Sequence, residues 1–202
     1  ISISEDTVWE YDADMFTGIQ TDAGETIRKF IGNVRIWQDS LIIYADSVTH
    51  FPAKNTHLIE GNVLMIDITD TLTCESLLFV SDSNEYLKAS SNVNFIQNNQ
   101  HMNCDSLFYW TKLDSGSAFG NVQLIQKNGE ITSNQIQYWK TDGYRESSFI
   151  ANENAKMKHN YQTITANFIS YTDDSQIMLV EGNAIVEDTS HVLFGDNILV
   201  QY

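Results

Sequence analysis

The chain has 202 residues, of which 42% are hydrophobic, enough for a sizeable core and too many for a disordered chain. Eleven basic residues stand against 27 acidic ones, so the net charge is −16, which argues against binding nucleic acid or an anionic membrane surface. No apolar stretch approaches the roughly 18 residues of a membrane-spanning helix. Because no Pro/Gly/Ser-rich linker interrupts the sequence, we expect one elongated domain over residues 1–202.

A short tripeptide, Gly32-Asn33-Val34, recurs along the chain. Later copies centre on Asn62, Asn92, Asn121, Asn154 and Asn183. Successive asparagines are 29, 30, 29, 33 and 29 residues apart, and a second marker, a small residue followed by a polar one as in Ala45-Asp46, shows the same spacing. This period predicts a repeat architecture. Residues 1–27 form an irregular start, and about six 29-residue repeats fill residues 28–202.

Turn signals fall about every 15 residues, beginning with Gln38-Asp39-Ser40 and the segment 52–55 that follows Phe51. The later ones are 67–70, 82–85, 97–100, 114–116, 127–129, 141–143, 172–175 and 188–190. Between them lie segments of 10–12 residues that are rich in Val, Ile, Thr, Tyr and Phe. These segments predict two strands per repeat, and the short connections predict that neighbouring strands are antiparallel.

Alternation within the strands predicts which residues face the core. By this alternation, the residue before each marker asparagine should also face the core, but it is usually glycine. A glycine in the middle of a strand indicates a bend, so each of these strands should fold over there. The partner strand breaks its alternation beside the second marker, which predicts a matching bend. We therefore expect an all-β fold, an antiparallel, semi-closed β-jellyroll made of a folded-over meander around an apolar trough.

The trough and its ends supply the candidate site residues. Inward residues near the rims should line the trough: Ile36, Met65, Phe95, Leu124, Met157, Phe79, Tyr109, Tyr138 and Tyr171. We expect Gln97 to point outward. A meander that never closes leaves unpaired strands at both ends, and the last strand, with Ile198, Leu199 and Val200, lacks the Lys or Pro that would guard it.

Other chemistry has little support in the sequence. The five histidines lack the spacing of a zinc site, and His50 reads as a packed residue at the edge of the core. Asp173-Asp174 and the pair Asp12/Asp14 read as solvated turn charges in preference to a weak calcium site. We expect no catalytic residues, no metal and no cofactor. A strand should separate Cys74 from Cys104, so both should be free thiols.

The repeat of Gly-Asn-Val, alternating strand, Ala-Asp and aromatic turn resembles the OstA-like (LptA/LptC-type) lipopolysaccharide-transport proteins. The stretch from Gly32-Asn33-Val34 through Ala45-Asp46 to Gly61-Asn62-Val63 is most similar to that pattern. The resemblance implies a non-enzymatic, periplasmic protein of a Gram-negative bacterium that holds lipopolysaccharide acyl chains in its trough. It also implies that the protein docks end to end with itself or with related jellyroll domains of an export bridge.

Two alternatives stay open at this point. The first is a parallel β-helix that binds or cleaves polysaccharide, although turns every 15 residues and long strands disfavour it. The second is a purely structural repeat protein that polymerises through its ends.

Overall fold

The computed structural model describes residues 8–22, 24–81, 85–97, 100–127, 129–139, 148–172 and 177–201. These residues form 14 strands and two short 3₁₀ turns, at Pro52–Lys54 and Thr111–Leu113. The strands are β1 Glu10–Asp12, β2 Met15–Gln20, β3 Thr26–Gln38, β4 Leu41–Phe51, β5 Thr56–Asp67, β6 Asp70–Val80, β7 Tyr86–Gln97, β8 Gln100–Trp110, β9 Ser115–Gln126, β10 Gly129–Trp139, β11 Ser148–His159, β12 Gln162–Thr172, β13 Ile177–Glu187 and β14 Val192–Gln201.

All 14 strands belong to one antiparallel sheet in which β3 to β14 follow one another in chain order. The sheet does not close, because β14 pairs only with β13 and both β1 and β2 pair with β3. The predicted all-β, antiparallel, semi-closed jellyroll is confirmed, and the parallel β-helix alternative is wrong. No described helix is long and apolar enough to cross a membrane.

Some predicted features fall outside the described residues. They are the Asp173-Asp174 pair and, wholly or in part, the predicted turns at 82–85, 97–100, 127–129, 141–143 and 172–175. Within the segment expected to be an irregular start, β1 and β2 form two short strands. The dipeptide Ala13-Asp14 lies between them. Together, β1 and β2 therefore resemble a single later strand that bends at its own marker, as β4 does at Ala45-Asp46.

Every long odd-numbered strand folds at its marker asparagine. Both residues of the dipeptide have positive φ at Gly32-Asn33, Gly61-Asn62, Ser91-Asn92, Gly120-Asn121, Glu153-Asn154 and Gly182-Asn183. The pairing register shifts at the same places, for example between Glu60 and Val63 on β5. Two successive left-handed residues cannot continue a strand. The backbone therefore turns a corner there, including at the copies without glycine, and we call this line of corners the seam.

The two sequence markers meet at the seam. The Asn62 side chain donates a hydrogen bond of 2.9 Å to Oδ2 of Asp46 on the neighbouring strand. Equivalent bonds join Asn33 to Asp14 (2.8 Å) and Asn121 to Asp105 (3.0 Å). A Cβ on Gly61 would overlap the Asp46 side chain. The two markers keep the same spacing because they form one structural contact.

The interior is apolar along the full length of the sheet. The residues directly after the seam asparagines, from Val34 to Ala184, are all buried. The residues three positions before those asparagines, from Phe30 to Val180, are buried as well. Leu193 differs from its predicted inward equivalents because it is 54% exposed. It lies on β14, where no further strand covers it.

Candidate functional site

The seam divides the sheet into two walls that face each other across the core. The first wall carries the segments that follow the seam asparagines, such as 93–97 of β7 with the paired 100–104 of β8. The second wall carries the segments before them, such as 86–90 of β7 with the paired 106–110 of β8. The walls are in contact, because the ring centroids of Phe95 and Tyr109 are 5.3 Å apart.

The predicted trough-lining residues all lie between the two walls. Eight of them belong to one continuous buried cluster, and the ninth, Tyr171, is partly buried against it. The eight are Ile36, Met65, Phe79, Phe95, Tyr109, Leu124, Tyr138 and Met157. The interior is therefore filled by the protein's own side chains.

Polar side chains join the walls at the open side, opposite the seam. Gln97 Nε2, on the first wall, donates a 2.8 Å hydrogen bond to the Tyr109 hydroxyl on the second wall. The same nitrogen lies 3.2 Å from Oδ2 of Asp70, and the Tyr109 hydroxyl donates to Oδ1 of Asp114 at 2.8 Å. We call these four residues the mouth latch. Burial and the Asp114 contact raise the pKa of Tyr109, so its hydroxyl stays a donor at neutral pH.

The expectation that Gln97 points outward is wrong. Gln97 is five residues after Asn92, so it has the same parity as the buried Val93 and Phe95. Its side chain is partly buried and bonded across the walls. The alternation of the strand already carried this signal, but the polar, turn-like segment 97–100 concealed it. Asp70 begins β6 and has the same parity as the buried Leu72, so alternation indicates it too. Asp114 could not be found in this way, because the turn after β8 places it.

Beside the latch is a small recess, where three of the predicted trough-lining residues, Phe95, Leu124 and Tyr138, come together. It is lined by Phe95, Gln97, Gln100, Met102, Leu124 and Tyr138. The recess has room for about one water molecule, far less than the roughly 300–1,000 Å³ of pockets that hold whole small molecules. The other six predicted residues do not line this recess.

Glycine at position 116 shapes the wall behind the recess. A Cβ there would lie 3.1 Å from Tyr138 Cε1, 3.2 Å from Tyr109 Cδ2 and 2.8 Å from the Phe108 carbonyl oxygen. The two tyrosine rings stack with centroids 6.1 Å apart. The absence of a side chain at Gly116 therefore lets the two rings lie side by side. The sequence pattern placed Gly116 in the predicted turn 114–116, whereas it lies within β9.

The N-terminal end of the trough is closed by a polar aromatic cluster. The Tyr11 hydroxyl on β1 contacts His57 Nε2 at 2.8 Å and His50 Nδ1 at 3.0 Å. The two imidazoles stack with centroids 4.3 Å apart. Burial, chiefly, lowers the pKa of His50 to about 4 and that of His57 to about 3. His50 is thus a packed residue of the core edge, as expected.

The two edges of the sheet expose apolar side chains. On β14 these include Val192, Phe194 and Leu199, while Ile198 is buried and Val200 is partly buried. On β2 they are Met15, Phe16 and Ile19. Cys74 and Cys104 are buried free thiols on β6 and β8, with β7 between them, as the meander predicts. No group of three described His, Cys, Asp or Glu residues is placed to hold a metal.

An open antiparallel sheet, folded along a seam over an apolar interior and unpaired at both edges, defines an open β-jellyroll. The profile of the family described as "LptA/(LptD N-terminal domain) LPS transport protein" matches residues 17–202. The chain belongs to this family of lipopolysaccharide transport proteins. The match confirms the family resemblance that the Gly-Asn-Val repeat indicated.

Two known proteins align with parts of this chain. The LPS-assembly protein LptD of Nitrosomonas eutropha is 29% identical over 77 residues, which are 38% of this chain and 11% of that protein. The chain thus spans a small fraction of the length of this curated relative. A crystal structure of LptH, the LptA-homologous periplasmic component of the lipopolysaccharide transport device of Pseudomonas aeruginosa, aligns at 13% identity with a TM-score of 0.31. That alignment covers 65% of this chain and 76% of LptH.

Proposed function

We propose that this protein binds lipopolysaccharide by taking the acyl chains of lipid A between the two walls, without enzymatic chemistry. The observation that carries the proposal is the unbroken apolar interior, which runs from Phe30 on β3 to Ile198 on β14. A sheet whose edges never meet can widen without breaking strand pairs. The seam provides the hinge line, and the mouth latch provides the bond that opens.

The energetics favour a ligand held by its aliphatic part. Burying one methylene group contributes about 0.8 kcal/mol, so a few acyl chains supply substantial binding free energy without charged contacts. With a net charge of −16, the protein repels the anionic headgroup. Binding should consequently depend on acyl-chain content and resist moderate salt.

The proposal extends to assembly and location. The unpaired strand β14 and the opposite edge formed by β1 and β2 suit head-to-tail strand addition, either to another copy or to related jellyroll domains. A row of such domains would give acyl chains a continuous apolar path. This arrangement supports a bridging role in the periplasm of a Gram-negative bacterium, with lipopolysaccharide or a related lipid as cargo.

Site-specific photo-crosslinking tests the location of the ligand. A photoreactive amino acid at Phe95 or Tyr138 should capture lipopolysaccharide when the protein is produced in a Gram-negative host. Ile96 serves as the matched control, because it neighbours Phe95 on β7 but is 40% exposed on the outer face. Equal labelling at Ile96 and Phe95 would contradict binding between the walls. Mass spectrometry of the captured adduct identifies the lipid.

A further inference from the structure

The Tyr138 hydroxyl is buried without a hydrogen-bond partner among the described residues. The side chain lies on β10 and is only 4% exposed. Two other tyrosines of the interior differ in this respect: Tyr109 bonds to Gln97 and Asp114, and Tyr11 bonds to two histidines. An unpartnered donor in an apolar interior lowers stability. Its retention in a well-packed core therefore suggests a partner that arrives with a ligand.

The surroundings of Tyr138 limit what that partner can be. It lines the recess together with the apolar side chains of Phe95, Met102 and Leu124. A second buried donor without a described partner, Nε2 of Gln126, belongs to the same strand as Leu124 and stands two residues after it. The recess itself combines an apolar floor with the unpartnered Tyr138 hydroxyl.

An anion does not fit this place. The recess has no Lys or Arg in its lining. Gln97, which also lines it, is held by the carboxylate of Asp70, and Asp114 is one hydrogen bond further along the latch. These carboxylates disfavour phosphate or a free fatty-acid carboxylate. An uncharged acceptor at the end of an aliphatic chain suits both the Tyr138 hydroxyl and the apolar floor.

We propose that the Tyr138 hydroxyl donates a hydrogen bond to the ester or amide carbonyl of an acyl chain whose methylene groups lie on Phe95, Met102 and Leu124. This inference rests on the proposed function and makes it more specific. It assigns Tyr138 as the residue that distinguishes acyl-linked lipids from alkyl ethers. Gly116 supports the assignment, because it leaves room for the Tyr138 ring beside Tyr109.

The experiment compares two single-chain lipids of equal length, a lysophosphatidylcholine with an ester carbonyl and its 1-O-alkyl ether analogue. Both are titrated into the intact protein below their micelle-forming concentrations, with binding measured by calorimetry. The wild-type protein should bind the ester about threefold to tenfold more tightly than the ether, which corresponds to the contribution of one neutral hydrogen bond. Tyr138→Phe should bind both lipids with the affinity that the wild type has for the ether.

The outcomes separate this inference from the proposed function. If both lipids bind with equal affinity, or if Tyr138→Phe keeps the ester preference, the role of Tyr138 is refuted while acyl-chain binding stands. If the wild type binds neither lipid, the proposed function fails and the inference fails with it. Tyr44→Phe, at an outward tyrosine that is 40% exposed, should keep the wild-type ester preference. If Tyr138→Phe does not fold, the test is the ratio of the wild-type affinities for the ester and the ether, and equal affinities refute the inference.

Discussion

At the scale of single residues, the seam shows how one contact can be built from different side chains. Three of the six copies pair a glycine and an asparagine with an aspartate, as in Gly61-Asn62 with Asp46. In another copy the roles are exchanged: Asn134 takes the place of the aspartate, and its amide donates to the Glu153 carboxylate at 3.3 Å. Glu153 nevertheless keeps a φ of 62°, so the tertiary contact overrides the residue's own preference.

Ser91→Gly should raise the free energy of unfolding by about 0.5–1 kcal/mol. Ser91 has a φ of 65°, a conformation that costs a residue with a side chain roughly 1–2 kcal/mol, part of which the extra flexibility of glycine in the unfolded chain offsets. Chemical denaturation measures the change. The reverse substitution, Gly61→Ala, should destabilise, because its Cβ would meet Asp46. An unchanged midpoint for Ser91→Gly would show that the seam carries no strain there.

Two tyrosines of the interior should respond oppositely to loss of their hydroxyls. Tyr109→Phe breaks the mouth latch and should lower the free energy of unfolding by roughly 1.5–3 kcal/mol, because it removes a bond to the Asp114 carboxylate. Tyr138→Phe removes a hydroxyl that has no described partner, so it should be neutral or stabilising. Thermal melts of the lipid-free protein test the pair. Equal losses would mean that the Tyr138 hydroxyl is satisfied in the lipid-free state.

At the scale of elements, β1 closes one end of the trough through side chains more than through backbone pairing. It contributes only three paired residues, Glu10 to Asp12. Its Tyr11 ring, however, stacks on Phe30 with centroids 4.4 Å apart, and its hydroxyl contacts both His50 and His57. The attachment of β1 therefore depends on two neutral imidazoles.

Acid should weaken this end of the molecule. The folded pKa values of His50 and His57, about 4 and about 3, lie below the value of about 6.5 in an unfolded chain. The unfolded state therefore binds more protons below about pH 6.5, and the stability that the neutral pair contributes is lost as the pH falls toward about 4 and then 3. Thermal melts between pH 7 and 4 should show this loss. The double variant His50→Phe/His57→Phe should show a shallower dependence, and an unchanged slope would contradict the assignment.

At the scale of the whole molecule, the sheet has a continuous middle and two unfinished edges. On the outer face, a chain of amide and charged side chains runs across five strands from Asn94 through Asn103, Gln123 and Glu130 to Lys158. At β14 the outer face is apolar, with Phe194 71% and Leu199 66% exposed. An exposed apolar edge without Lys or Pro favours strand addition.

Leu199→Lys should reduce self-association, because a charge on the edge strand opposes docking of another strand. Sedimentation over a range of protein concentrations should show larger species for the wild type and a shift toward monomer for the variant. Leu113→Lys is the matched control, since Leu113 is equally exposed at 66% but lies in the 3₁₀ turn between β8 and β9. A wild-type protein that stays monomeric at the highest concentrations would argue against self-assembly through β14.

The sequence by itself determined the meander and its buried face. Alternation with a period of two, interrupted by Gly-Asn, is a local property, so it is sufficient to place Ile36, Phe95 and Tyr138 inside. The trough-lining role of the predicted residues and the edge role of Ile198, Leu199 and Val200 stay predictions. The sequence predicted the positions of these residues because the direction of each side chain follows from the covalent geometry of a strand.

Only the tertiary structure decided which side chains meet across the walls. Gln97 and Tyr109 are 12 residues apart, yet nothing in their spacing says that folding at Asn92 brings them into contact. Likewise, the Tyr138 hydroxyl is unpartnered among the described residues and the Tyr109 hydroxyl is not, although both occupy equivalent places in the pattern. Leu193 also has the inward pattern but is exposed. Burial and pairing depend on what lies opposite, and the end of a sheet has nothing opposite it.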